Sequence, residues 1–176
     1  MRFADWTDDE VSLLNNLLGY IIVWGYDYKV DLIDVNESGY QAALTGGAVD
    51  VVAEVPKADA GEWLAAQSSA GAVVDAGSAF GAGSDIRIAS TASLKQTAPE
   101  IAEFLRTVSA DKAAIERLAA QITGGRTGVK PNVAALMYLK DNETACTSWV
   151  PKPVAEEVRA ALAAGKTSLL RRNCIP

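Results

Sequence analysis

The 176-residue sequence predicts a single α/β domain: a mostly parallel sheet with helices on both faces, followed by a helical C-terminal part. Three observations carry this expectation. The first 55 residues read β-α-β-α-β, an order that calls for crossover connections and a parallel sheet. The run "AVDVVAEV" (48–55) is nearly continuous in apolar residues and rich in β-branched ones, as suits a strand buried on both faces. After residue 90 the chain is largely helical in pattern.

In chain order, "RFAD" is a short strand. In "WTDDE", Thr7 with Glu10 three residues on reads as a capping box, and Asp8 and Asp9 suit the positive end of a helix. Val11, Leu14, Leu18, Ile21 and Ile22 then recur at helical spacing, set against Ser12, Asn15, Asn16 and Gly19, and Gly25 is the expected stop. "KVDLIDV" (29–35) is strand-like, and "NESGYQAALTGG" is a short helix ended by Gly46 and Gly47. After the buried strand come a helix, "AGEWLAAQSSAG", and a strand, "AVVDAG". "DIRIAS" (85–90) is a further strand. "APEIAEFLRTVS" carries Pro99 in its first turn, where a missing N–H costs nothing. "SADKAAIERLAAQITGG" is expected to start on Ser109 as N-cap and to stop at Gly124 and Gly125, and "KPNVAALMYLKDN" and "KPVAEEVRAALAAGK" follow the same grammar.

Composition narrows the function classes. A formal net charge of −6 with no basic stripe argues against nucleic acid or an anionic membrane surface. The local basic pair Arg171–Arg172 reads as a solvated tail. Histidine is absent, which removes Ser-His-Asp and Cys-His catalysis, the common zinc sets and any imidazole base. No catalytic residue, metal site or cofactor is assigned, and the acidic cluster Asp8-Asp9-Glu10 reads as a capped helix start rather than a metal site. The apolar stretch at residues 13–26 carries Asn15 and Asn16 and falls short of a membrane span. The acidic N-terminus does not read as a signal peptide, so the chain reads as cytoplasmic or as a mature form whose signal has been removed. Cys146 and Cys174 are either a disulfide, which would imply an oxidising compartment, or two unrelated thiols.

"GAVVDAGSAFGAGSDIRIAST" (71–91) has the look of a phosphate-cradling loop. Gly81 and Gly83 supply G-x-G, but Ile86 stands where the third glycine of G-x-G-x-x-G belongs, and no Walker lysine follows. A short flexible join between two strands is the better reading.

In a sheet of this kind ligands sit beyond the carboxyl ends of the strands. Those ends supply Asp5, Trp6 and Thr7, then Asn36 and Glu37, then Glu54, Val55 and Pro56.

The order of motifs resembles the glycine betaine/choline-type substrate-binding proteins of ABC importers, which have the type II periplasmic-binding-protein fold. It rests on a strand ending in Trp6, Thr7 and acidic residues, then "GYDYKVDLI", "YQAALTGGAVDVVAEV", "APEIAEFLRTVS" and "ALMYLKDNETACTSWV", and covers most of residues 2–150. The resemblance implies two lobes closing on a ligand. Here it implies one lobe, residues 1–150: an opening section (1–76), a short join (77–84) where the second lobe would be, and a closing section (85–150), with a C-terminal helix and tail (151–176) packed on it.

Such proteins hold quaternary ammonium ligands in aromatic boxes, because a cation without N–H groups is best met by ring faces, worth about 0.5–2 kcal/mol per contact. The ligand-binding set carried over is Trp6, Thr7, Asn36, Glu37, Glu54, Val55 and Pro56. The family often has a tryptophan directly before the proline; here that residue is Val55. Trp24, Trp63 and Trp149 read as packing residues, and Tyr26 and Tyr28 have no assigned role. A single lobe leaves one ligand face open, so weak binding, a homodimer or another protein covering the cleft is expected. The implied partner is the membrane subunit of an ABC transporter, and the implied location is outside the membrane. The competing expectation is a lobe reused as a non-catalytic structural or regulatory subunit, its floor of Trp6, Val55 and Pro56 serving as a protein contact.

Overall fold

The computed structural model describes residues 1–81, 83–122 and 128–169. Five strands form one sheet: β1 (Arg2–Asp5), β2 (Asp31–Asp34), β3 (Val51–Pro56), β4 (Val73–Ser78) and β5 (Ile86–Thr91), in the order β2-β1-β3-β5-β4. β1 is parallel to β2 and β3, and β5 is antiparallel to both its neighbours, β3 and β4. Four strands therefore share one direction, and the mixed α/β single lobe with a mostly parallel sheet stands as the sequence predicts.

Among the described residues the helices are α1 (Asp9–Gly25), α2 (Tyr40–Thr45), α3 (Lys57–Ser69), α4 (Leu94–Thr97), α5 (Pro99–Thr107), α6 (Lys112–Ile122), α7 (Pro131–Asp141), α8 (Glu143–Ser148) and α9 (Lys152–Ala163). The one-turn α4 and the short α8 have no expected counterpart in the sequence reading; each is too brief to show a helical period.

Each face of the sheet has its own apolar core. Phe3, Val51, Ala53 and Ile88 join the residues of α1, α5, α6 and α7. Ala4, Val52, Val55 and Ala89 join Tyr40, Leu44 and Leu64 of α2 and α3. Alternation along a strand explains most of this division. Val55 departs from it, because a register shift between Val52 and Val55 turns it onto the same face as Val52.

Helix α1 differs from the amphipathic helix that its spacing suggests. Asn15, Asn16 and Gly19, expected on a solvent face, are buried along with the apolar residues. α6, α7 and α9 pack around the side of α1 that the sheet leaves open. The amide of Asn15 donates to the Ala4 carbonyl and to Asp5 Oδ1, at 2.8 and 3.0 Å, and that of Asn16 to the Ser12 carbonyl at 2.8 Å. These bonds satisfy the NH2 groups of the two amides, while Asn15 Oδ1 is buried with no hydrogen-bond partner among the described residues.

The capping expectations shift by a residue or two. Asp8, not Thr7, caps α1: its Oδ1 accepts from the N–H groups of Glu10 and Val11 at 2.9 and 3.0 Å. Asp111, not Ser109, performs the same task for α6, accepting from Ala114 N–H at 3.0 Å. A charged carboxylate gains more at a helix N-terminus than a hydroxyl does. The expected stop at Gly124–Gly125, Arg171–Arg172 and Cys174, and with it the bridge, lie outside the described residues. Cys146 is buried on α8, and burial pushes its thiol up to about 12.

The glycine-rich stretch joins β4 to β5 as an antiparallel hairpin. Gly81 (φ 79°) and Gly83 (φ 92°) hold left-handed conformations that a side chain would strain. Strand β5 follows directly, so no helix N-terminus is presented to a phosphate there.

α9 belongs to the same packed body. A Cβ added at Gly25 would meet Val154 Cγ1 at 2.7 Å and Val158 Cγ2 at 2.9 Å. Replacing a helical glycine by alanine gains about 0.5–1 kcal/mol from propensity alone. Overpacking costs about 1–3 kcal/mol, so the contact decides the sign. Gly25→Ala is therefore expected to lower the urea midpoint at unchanged m-value; a raised midpoint would show that α9 yields freely.

Candidate ligand-binding cleft

The register Asp5↔Asp34 sets the ends of β1 and β2 side by side, and Val35 N–H donates to the Asp5 carbonyl at 2.8 Å just beyond. Both chains then part, β1 towards α1 on one face and β2 towards α2 on the other. Between them lies a cleft of about 410 Å³, within the about 300–1,000 Å³ common for small-molecule sites. Trp6, Thr7 and Asp8 form one wall, and Asp34, Val35, Asn36 and Glu37 the other.

Four of the seven residues expected at the site, Trp6, Thr7, Asn36 and Glu37, thus line one cavity. The other three do not line it. Val55 is fully buried in the α2–α3 core, turned there by the bulge in β3. Pro56 is half-buried and serves as N-cap residue of α3. The cleft floor of Trp6, Val55 and Pro56 is accordingly not formed.

Glu54 is the third. It is 9% exposed, and among the described residues its Oε1 has no hydrogen-bond partner. Burial pushes its acid up to about 8; Glu10 and Asp8 push the same way, and Lys112 opposes them. Lys112 is itself drawn to Glu116, at 3.5 Å. Glu54 is therefore a neutral acid at pH 7, buried beside the start of α1.

Trp6 is held by an aromatic stack that the sequence reading missed. Its ring lies on Tyr40 with centroids 5.6 Å apart and planes at 20°, and Tyr40 meets Trp63 edge-on at 6.1 Å and 87°. Offset-stacked and edge-to-face pairs each add about 0.5–1.5 kcal/mol beyond area burial. Trp63 does pack, as expected, but against the residue that positions Trp6. Tyr40 begins α2 and is 7% exposed. An aromatic at a helix start, two turns past a strand end, was the available signal. Trp149 is buried, and Trp24 packs on the α1 core with Lys166 over its ring at 5.5 Å.

The walls are acidic. Asp8, Asp34 and Glu37 bring three carboxyl groups, and no lining residue is basic. Asn36 Oδ1 accepts from Ser38 Oγ at 3.1 Å, which steadies the turn into α2. An indole ring and carboxylates around a half-open cavity suit a small organic cation, the ring through its face. Among the described residues no cluster of acidic or thiol side chains could hold a metal ion, and no helix is long and apolar enough to cross a membrane.

Glu54 generates a pH prediction. Its ordinary value is 4.5 and its folded value about 8. The unfolded chain releases this proton from 4.5 upward while the folded chain keeps it, so stability falls as pH rises through that window. The full penalty is about 4–5 kcal/mol at 1.36 kcal/mol per pH unit. Glu54→Gln is expected to match the parent near pH 4.5 and to exceed it increasingly up to pH 8 in denaturant titrations. A constant offset at all pH values would contradict a neutral buried acid.

No protein-family profile matches the chain, and no curated protein sequence matches it significantly. Solved structures do match. An ABC-transporter choline-binding protein in complex with choline aligns over 92% of this chain and 97% of its own, with a TM-score of 0.75 at 12% identity. Lactococcal OpuAC, in its closed conformation with glycine betaine, covers 85% and 98% at a TM-score of 0.68 and 11% identity. The glycine betaine/L-proline-binding protein ProX of Borrelia burgdorferi covers 90% and 99% at a TM-score of 0.71 and 10% identity. This chain has the fold of choline- and glycine-betaine-binding proteins of ABC transporters.

Proposed function

We propose that the protein is a non-catalytic binding protein for a small quaternary ammonium compound, held in the cleft between the ends of β1 and β2. The observation that carries this is Trp6, fixed on Tyr40 at 5.6 Å and bordering a cavity with three carboxyl groups and no basic side chain. Fixed ring and carboxylates attract the same ligand, an organic cation. The fold likeness to proteins solved with choline and with glycine betaine supports the class of ligand. On this reading the chain works outside the membrane with the membrane subunit of an ABC importer. Thr7, Asp8, Asn36 and Glu37 are exposed, so binding is weak, with a dissociation constant of about 1 mM or about −4 kcal/mol, unless a second copy covers the cleft.

The same exposure favours one other reading. A cleft open on one side is a surface a protein can cover, which would make the chain a structural or regulatory subunit of a larger assembly.

Tetramethylammonium chloride, with sodium chloride as control, separates the two. At about ten times the dissociation constant a bound ligand adds about 1.4 kcal/mol of stability. The expected result is a Tm rise of a few degrees with a saturable change in tryptophan fluorescence, both absent in Trp6→Ala. A flat response in the parent protein would leave the subunit reading standing. A response that survives in Trp6→Ala would move the cation elsewhere.

A further inference from the structure

We infer that the cleft selects by the ligand's own charge: it takes organic cations that lack a carboxylate, such as choline, and rejects zwitterions such as glycine betaine. The inference rests on the proposed reading that a quaternary ammonium compound binds here, and adds what the rest of that molecule must be.

A ligand carboxylate is held best by a basic side chain, and neighbouring carboxylates repel it. The cleft offers no basic side chain. Its walls carry Asp8, Asp34 and Glu37 and no lysine or arginine. Two arginines elsewhere in the fold are already paired: Arg87 grips Asp75 through Nε and an Nη at 3.1 and 3.0 Å, and Arg2 grips Asp50 at 2.7 Å. Lys112 is shared between Glu116 and the surroundings of Glu54.

The start of α1 is the natural anion seat in this cleft, and it is already filled from within. Asp8 Oδ1 takes the N–H groups of Glu10 and Val11, and the N–H of Ser12 goes to the Asp8 carbonyl at 3.0 Å. Asp8 N–H itself donates to the Trp6 carbonyl at 2.7 Å, and Val35 N–H on the facing wall donates to Asp5. Asp8 thus sits where a ligand's carboxylate would have to sit. A ligand hydroxyl meets no such obstacle, since Thr7, Asp34 and Glu37 can donate to it or accept from it.

The test compares choline with glycine betaine by isothermal titration calorimetry on the whole chain at low and high salt, with tetramethylammonium as reference. Choline is expected to bind at least tenfold tighter than glycine betaine, a difference of about 1.4 kcal/mol, and to weaken as salt screens the carboxylates. In the variant carrying Asp34→Asn and Glu37→Gln, both at exposed positions, the gap should narrow from both sides. Glycine betaine binding as tightly as choline would overturn the selectivity while leaving the proposed function intact. Failure of tetramethylammonium and choline alike would overturn both.

Discussion

Burial of α1 on every side is the constraint on which the rest of this structure depends. The helix lies on the sheet through Phe3, Val51 and Ala53 and is closed over by α6, α7 and α9. A helix apolar nearly all round cannot face water, so the C-terminal half of the chain is required to complete the N-terminal half. Two polar residues sit within that burial, and one of them does positioning work: the Asn15 amide ties α1 to the carbonyl of Ala4 and the carboxylate of Asp5. The end of β1 and the start of α1 are thereby held at one fixed relation, and the turn between them is Trp6-Thr7-Asp8.

The cleft inherits its rigidity from that turn and from the opposite core. Trp6 leads from β1 onto Tyr40 and Trp63, so a residue bordering solvent is anchored in the packing of α2 and α3. A ring whose orientation is set in advance loses less freedom when a ligand arrives. The carboxyl groups around it divide into distinct roles. Asp8 caps a helix, Asp34 and Glu37 border the cavity, and Glu54, buried by the bulge in β3, is neutral at pH 7. Four acids close in sequence to strand ends thus do three different things, decided by burial and by which N–H groups lie within reach.

Much of the architecture was legible in the sequence because its signals are local. The β-branched run ending at Val55, the glycines after Thr45 and Pro99 at a first turn each mark an element that the structure contains. The caps were misread by a residue or two because Thr7 and Ser109 look as suitable as Asp8 and Asp111 until the helix phase is known. Of the site, Trp6, Thr7, Asn36 and Glu37 could be found from the rule that ligands gather at strand ends. Val55 could not be excluded, since a bulge leaves no mark in an apolar run. Tyr40, an aromatic at a helix start just past a strand end, could be suspected, but not its pairing with Trp6, which is distant in sequence.

By itself, then, the sequence determined the class of fold, the order of its longer elements, the absence of histidine and the acidic, aromatic character of the β1 and β2 ends. These follow from side-chain period, turn residues and composition, all of which act within a few residues. Only the tertiary structure decided that the polar stripe of α1 is buried, that Val55 turns into the core while Glu54 is trapped as a neutral acid, and that Tyr40 and Trp63 hold Trp6. Each of these depends on which surfaces meet across the sheet. Burial and ring stacking are properties of pairs of segments far apart in the chain, and no local pattern encodes them.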